Sequence, residues 1–418
     1  MSASGVGAAA PVTGAQRPGS HDALATASRV AFLLLVVSTT GPIAPMSITS
    51  VLCAVLTLAR FARTPKPRWP GTPVNRAAIA WMIALAVVSA FALERAHSFL
   101  QLKKGLLPLL VALTAFHASD RSLGRRALAS YFGAAGVVAV VSLVAWWNHG
   151  HGYAWRAQGL ANHYMTFGGQ LLFEFPLALA VALLTKSRRW QWGATLVAAL
   201  TALALAATFT RSSWLGALAA AALVAGAVWP WGIAVLATFA ALAWNFAPGQ
   251  WGSRLHGMFD SHFGYNGERL LMWKAGLHMF RDHPLTGVGL GDMHALYQRY
   301  KLPQATEAVG HLHSTYVQIA AGMGLVGLAA FGWLYASLLR AASPGVAFAR
   351  DFSARLALGG EGAALRLGVT AALVGFLVTA CFEFNFGDEE LLYQLFVLVG
   401  LAWASRQWES SAGLQDEA

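Results

Sequence analysis

Apolar stretches close to membrane-spanning length recur from Val30 to Arg406, and this recurrence constrains the fold more than any other feature. A helix needs roughly 20 apolar residues to cross a bilayer. The chain is 57% hydrophobic and only 11% charged, with a mean hydropathy of +0.53, whereas soluble domains run near a quarter charged. The pattern predicts spans at about 29–41, 45–61, 76–93, 99–117, 127–147, 165–185, 190–209, 213–229, 230–247, 313–339, 366–384 and 390–406. The expected fold is therefore an all-α polytopic membrane protein of about twelve transmembrane helices. Gly41-Pro42 and Pro45 interrupt the first span, and the pair split at Trp229-Pro230 has the weakest turn.

The segments follow. Residues 1–28, rich in Ala, Gly, Ser and Pro, read as a disordered cytoplasmic N-terminus. Residues 29–247 hold the first nine spans, 248–312 form one long loop, 313–406 hold the last three spans, and 407–418 are a cytoplasmic tail. The span starting near Val30 reads as a retained anchor. Cys53 and Cys381 lie within apolar spans as small hydrophobes, with no disulfide framework.

A pI near 10.0 would suit a nucleic-acid partner. The basic residues come instead as short clusters between spans, which topology explains. Arg60, Arg63, Arg121, Arg125, Arg126, Lys186, Arg188, Arg189, Arg340 and Arg406 share one side if the N-terminus is cytoplasmic. The 248–312 loop then faces the periplasm or cell exterior. It gathers Arg254, Asp260, Glu268, Arg269, Lys274, Arg281, Asp282, Asp292, Arg299, Lys301 and Glu307. In so apolar a chain, such a loop points to chemistry at the membrane surface. Leu270, Trp273, Leu277 and Phe280 recur at three- and four-residue spacing and predict a surface helix over 267–283, stopped by Pro284.

Chemistry-bearing residues cluster around that loop. His313 and Ser314 stand where the tenth span starts, two residues after His311. A helix N-terminus disfavours the imidazolium, and a neutral imidazole can act as a general base. The plainer alternative is a histidine that caps the helix or sits among headgroups. Ala320, Gly324 and Gly327 form a small-residue stripe expected to pack this helix tightly. Arg211 falls at an outer junction of two spans, and Arg269 opens the surface helix. Each could anchor to lipid or clamp a phosphate. Glu174 is the acid deep inside a span, expected to pair with a nearby cation. Pro284-Leu285-Thr286-Gly287-Val288-Gly289 follows a helix, not a strand, so it reads as a tight turn. No metal-ligand spacing, phosphate-binding lysine loop or nucleotide site is present; neither metal nor cofactor is expected.

Four stretches in order resemble the O-antigen ligase family, which shares a domain with O-antigen polymerases. They are Thr210-Arg211-Ser212 with Trp214-Leu215-Gly216; Glu268-Arg269-Leu270-Leu271-Met272-Trp273; Pro284 to Gly289; and His313-Ser314-Thr315-Tyr316-Val317-Gln318 with Gly324-Leu325-Val326-Gly327. The specific part covers about residues 155–330. The resemblance implies the all-helical architecture of lipid-dependent glycosyltransferases (GT-C-like). It implies transfer of a preassembled glycan from undecaprenyl pyrophosphate to a sugar hydroxyl of lipid A–core, at the periplasmic face of the bacterial inner membrane. His313 would be the catalytic base, and Arg211 and Arg269 would bind the pyrophosphate. His311, Arg156, Asn162, His163 and Ser314 are further candidates to touch substrate. Many relatives carry Asn where this chain has Ser314, and both residues are small and polar. An O-antigen polymerase, a protein O-oligosaccharyltransferase and a secondary transporter are the competing readings; the last usually needs more polar groups at the midplane than Glu174.

Overall fold

The computed structural model describes residues 20–63, 68–229, 231–262, 265–344 and 360–413. Every described element is helical. In chain order they are α1 (Ser20–Ser38), α2 (Ile43–Arg63), α3 (Val74–Phe91), α4 (Arg95–Leu100), α5 (Leu110–Ala118), α6 (Arg121–Asn148), α7 (Tyr164–Leu184), α8 (Arg188–Ala207) and α9 (Arg211–Val228). There follow α10 (Gly232–Phe246), α11 (Gly249–His256), α12 (Asn266–Asp282), α13 (Met293–Tyr300), α14 (Thr315–Ala342), α15 (Glu361–Ala380) and α16 (Glu389–Gly413). A 3-10 stretch, Gln101–Leu109, joins α4 to α5.

All twelve expected spans fall on helices. Among the described residues, nine helices are long and apolar enough to cross a membrane, counting Arg95–Ala118 as one. The span expected at 230–247 is shorter: α10 has 15 residues, then the chain bends by 109° into α11. Fifteen residues rise only about 22 Å, less than the ~30 Å hydrocarbon core. Pro248 and Gly249, with φ +53°, make the corner. At the N-terminus α1 starts at Ser20, earlier than the disorder expected through residue 28; its Ala-rich first turns favour helix and feed directly into the apolar run. Residues 1–19 lie outside the described residues, as do 414–418 of the expected tail. The rest of that tail continues α16, and Trp408 is buried with its indole donating to Ala118 O at 2.8 Å.

The centre of the bundle is α7 and α15, each buried over 78% of its apolar window. Helix α15 packs on α7 and α9, and α7 packs on α8. Glu174 sits in this core, but its partner is not the expected cation. The Gln394 amide donates to Glu174 Oε1 at 3.4 Å and to Tyr131 Oη at 2.7 Å. A neutral amide avoids burying a second charge in lipid-depth protein, where desolvation can exceed the Coulomb gain. Basic residues gather at the other end of the bundle from α11–α13: Arg29 lies 3.9 Å from Asp120, Arg125 pairs with Glu361 at 2.7 Å, and Arg406 donates to Ser343 O.

Helix α14 departs from expectation. Gly324 does not tighten it but breaks it, with φ +60° and ψ −154°, a conformation open essentially to glycine alone. The Pro284–Gly289 turn fills the break. Leu325 N donates to Pro284 O and Val326 N to Leu285 O, while Val288 N and Gly289 N donate to Ala321 O and Gly322 O. Backbone groups freed by the break are thus paired within protein, as a low-dielectric setting requires. A Cβ on Gly324 would lie 2.5 Å from Leu285 O, so space and conformation both demand glycine.

The segment after α11 packs largely on itself at one end of the bundle. Met272, Ala275, Met279, Val288, Met293, Leu296, Tyr297, Val309 and Leu312 make its own core, against Ala321 of α14. The surface helix expected over 267–283 is α12. Its buried face is Met272, Ala275, Gly276 and Met279; Leu270 and Leu277 of the expected stripe are exposed at 44% and 62%. The helix therefore carries two apolar faces, one against α14 and one outward, as an interfacial helix does.

Candidate active site

His313 is one residue outside the helix it was expected to start. Ser314 is the N-cap of α14, its hydroxyl accepting from Val317 N at 3.4 Å. His313 holds a left-handed φ of +48°, which costs a non-glycine residue roughly 1–3 kcal/mol and persists only where neighbours fix it. They do. Thr315 N and Thr315 Oγ1 both donate to Glu383 O, at 3.1 and 2.9 Å. Tyr316 Oη donates to Leu377 O at 3.0 Å. The start of α14 is stitched to the end of α15.

Glu383, just past α15, organises the site. Its Oε2 lies 3.1 Å from His313 Nδ1, and its Oε1 accepts from Arg269 Nη2. The carboxyl is 4% exposed. Burial alone would push its pKa up; the His313 hydrogen bond and the Arg269 charge outweigh it and hold the group below the ordinary glutamate value. The side chain is therefore a carboxylate near neutral pH. With Nδ1 donating to a carboxylate, the lone pair of His313 is on Nε2, the arrangement that orients an imidazole as a base.

Two cavities flank this set, one lined by Arg269 and the other by Glu383, and the Arg269–Glu383 ion pair links their walls; His313 itself lines neither. One, of about 210 Å³, is lined by Arg211, Asn266, Arg269, Trp273 and Phe382 among others. Both expected arginines thus face one space. Arg211 Nη1 donates to Gly257 O at 2.8 Å and Nη2 to Asn266 Oδ1 at 2.6 Å, which orients the guanidinium. Thr379 Oγ1 donates to Ser212 O, tying the start of α9 to the end of α15. The second cavity, of about 480 Å³, is lined by Lys104, His163, Thr166, His311, Glu383, Asp388, Glu389 and Glu390. His311 packs edge-on to His313 with ring centroids 4.2 Å apart. Burial above all pushes its pKa down to about 4, so it is neutral at pH 7.

The remaining expected residues are placed less centrally. Arg156 is stacked between the rings of Tyr153 and Tyr164, at 3.9 and 4.0 Å. Asn162 is exposed and lines neither cavity. Ser314 is 2% exposed, and its hydroxyl is engaged by the cap and by Ala380 O, so it does not face substrate space. One participant escaped sequence reasoning. Glu383 was hidden in the last turn of an apolar span, although the rule that singled out Glu174 applies to it equally.

The fold and this site define a multi-pass, all-helical membrane protein with a histidine–carboxylate pair and two arginines at one membrane face. Residues 196–332 match the family described as O-Antigen ligase, and the match supports membership of that family. The matched stretch contains Arg211, Arg269 and His313, while Glu383 lies beyond it. Members of that family are enzymes of glycosyltransferase and ligase type, O-antigen ligases and polymerases among them. A comparison with curated proteins gave no match.

Proposed function

We propose that the chain is an O-antigen ligase. It transfers a preassembled glycan from undecaprenyl pyrophosphate to a sugar hydroxyl of lipid A–core, at the periplasmic face of the inner membrane. The observation that carries this reading is the continuous chain Arg269–Glu383–His313 between the two cavities. The arginine cavity suits the donor pyrophosphate, and its apolar wall of Leu215, Leu270 and Trp273 suits the start of a lipid tail. The carboxylate cavity suits a polyhydroxyl acceptor. His313 Nε2 takes the proton of the acceptor hydroxyl as its oxygen attacks the anomeric carbon. The bond from that carbon to the pyrophosphate oxygen breaks, with inversion, and the departing charge is met by Arg211 and Arg269. Glu383 stabilises the imidazolium formed. The pyrophosphate–sugar bond supplies the driving force, so the step requires no nucleotide; the sequence offers no metal-ligand set of sound spacing, and the purified enzyme should keep its rate in excess EDTA.

The test is lipopolysaccharide banding after deletion and complementation. Ligase loss leaves lipid A–core without long glycan. Core plus a single repeat would make the chain a polymerase instead, using a second lipid-linked glycan as acceptor. Orientation is checked separately with single cysteines. Ser261→Cys and Gln304→Cys should react with an impermeant thiol reagent in spheroplasts, and Ser122→Cys and Ser187→Cys should not. The reverse labelling would put the site on the cytoplasmic side and rule out this donor assignment.

A further inference from the structure

A second, more apolar groove lies away from this site. It runs between α6 and α8, measures about 620 Å³, and is lined by Phe132, Gly133, Gly136, Trp190, Gly193 and Val197 among others. A Cβ added at Gly133 or Gly193 would meet nothing within 4 Å, so the space belongs to something other than this chain's side chains. The groove extends from Ala129 to Val141 on α6 and from Arg189 to Leu200 on α8. At 1.5 Å per residue that is about 17 Å, close to half of a ~30 Å hydrocarbon core. Its length is one leaflet.

Both helices run toward the α11–α13 face, so the groove's arginine end lies in the leaflet remote from His313. Arg189 lines that end. Arg126 precedes Ala129 by three residues, on the same face of α6. Both are exposed, and neither makes an ion pair among the described residues. Lys186 and Arg188 stand exposed in the adjoining turn. Trp190 follows Arg189 in the lining, and indoles favour the headgroup boundary. The groove is thus apolar along one leaflet and doubly cationic at its mouth, with guanidinium forks that match phosphate geometry.

We propose that this groove binds an anionic glycerophospholipid, one acyl chain lying over Gly133 and Gly193 and the phosphate held by Arg126 and Arg189. The charge at one end favours a lipid over a second copy of the chain, because a packed helix would use the glycines along the whole groove and leave the arginines unanswered.

The test uses the full-length protein in detergent and native mass spectrometry, with phosphatidylglycerol or phosphatidylcholine of matched acyl chains. The wild type should retain one phosphatidylglycerol with roughly tenfold preference over phosphatidylcholine. Arg126→Ala with Arg189→Ala should abolish the preference. Gly133→Leu with Gly193→Leu should abolish retention of both lipids while thermal unfolding in lipid-free detergent stays unchanged, since those side chains enter empty space. Equal retention of the two lipids by the wild type overturns the proposal. So does retention that survives the glycine substitutions, or a two-chain mass that the same substitutions dissociate. None of these readouts depends on glycan transfer.

Discussion

The two cavities beside His313 are joined by one ion pair, Arg269–Glu383, yet they carry opposite character. The arginine cavity places two guanidinium groups among Leu215, Leu270, Trp273 and Phe382. The carboxylate cavity sets Asp388, Glu389 and Glu390 against Lys104 and two histidines. Part of that acidity is structural: Asp388 precedes α16, and acids in a first turn answer the helix dipole. The difference still sorts ligands. A diphosphate is attracted to one side and repelled from the other, whereas sugar hydroxyls can donate to carboxylates. A transfer enzyme gains from this because donor and acceptor cannot exchange places.

Removing the residue between the cavities has the largest expected effect. His313→Ala should lower glycan transfer by roughly 10²–10⁴ while donor binding persists through the arginines. Donor binding and turnover measured on one preparation decide it; near wild-type turnover would exclude a base at this position. Next is the arginine side. Arg211→Lys keeps a charge but loses the oriented fork, and turnover should fall by roughly 10²–10³. Full activity in both Arg211→Lys and Arg211→Ala would reduce the residue to an anchor. On the carboxylate side, burial raises the Glu390 pKa to about 7, so Glu390→Gln should raise the acceptor KM by roughly threefold to tenfold, as expected for one hydrogen bond, and leave the donor KM unchanged. A change in donor KM alone would erase the proposed division of labour.

The smallest effect concerns His311. Its folded pKa is about 4, against an unfolded value near 6.5. Between those values the unfolded chain binds the extra proton, so stability rises with pH; the contribution is complete above 6.5 and is lost as pH falls toward 4. His311→Ala should remain partly active. The melting-temperature difference between wild type and this variant should shift by roughly 2–4 °C in the wild type's disfavour from pH 7.5 to pH 5. A pH-independent difference would mean that His311 titrates normally.

Much of this molecule could be read from the sequence. Twelve apolar runs became twelve helical stretches because a chain in lipid must pair its own backbone groups, and helices do so within each run. Helix α12 was legible from Leu270, Trp273 and Pro284. Arg211 and Arg269 share the wall of one cavity, and His311 packs on His313. What escaped was long-range. The sequence assigned His313 to a helix start, but a carboxylate far along the chain orients it, and no periodicity reports that contact. Gly324 read as a packing residue because a small side chain and a positive φ look alike in a sequence. The burial of Ser314 and the stacking of Arg156 between tyrosines depend on rotamers that spacing does not encode.

The clasp between the Pro284–Gly289 turn and the broken helix α14 has a consequence for biogenesis. The turn is synthesised before the helix that needs it. In the proposed orientation, when α14 leaves the ribosome its unpaired amides at Leu325 and Val326 meet acceptors already delivered to the far side of the membrane. Translocation of the loop is therefore a precondition for stable insertion of the span that follows. A chain whose loop failed to cross would have no settled tenth span, and quality control would meet it before any substrate did.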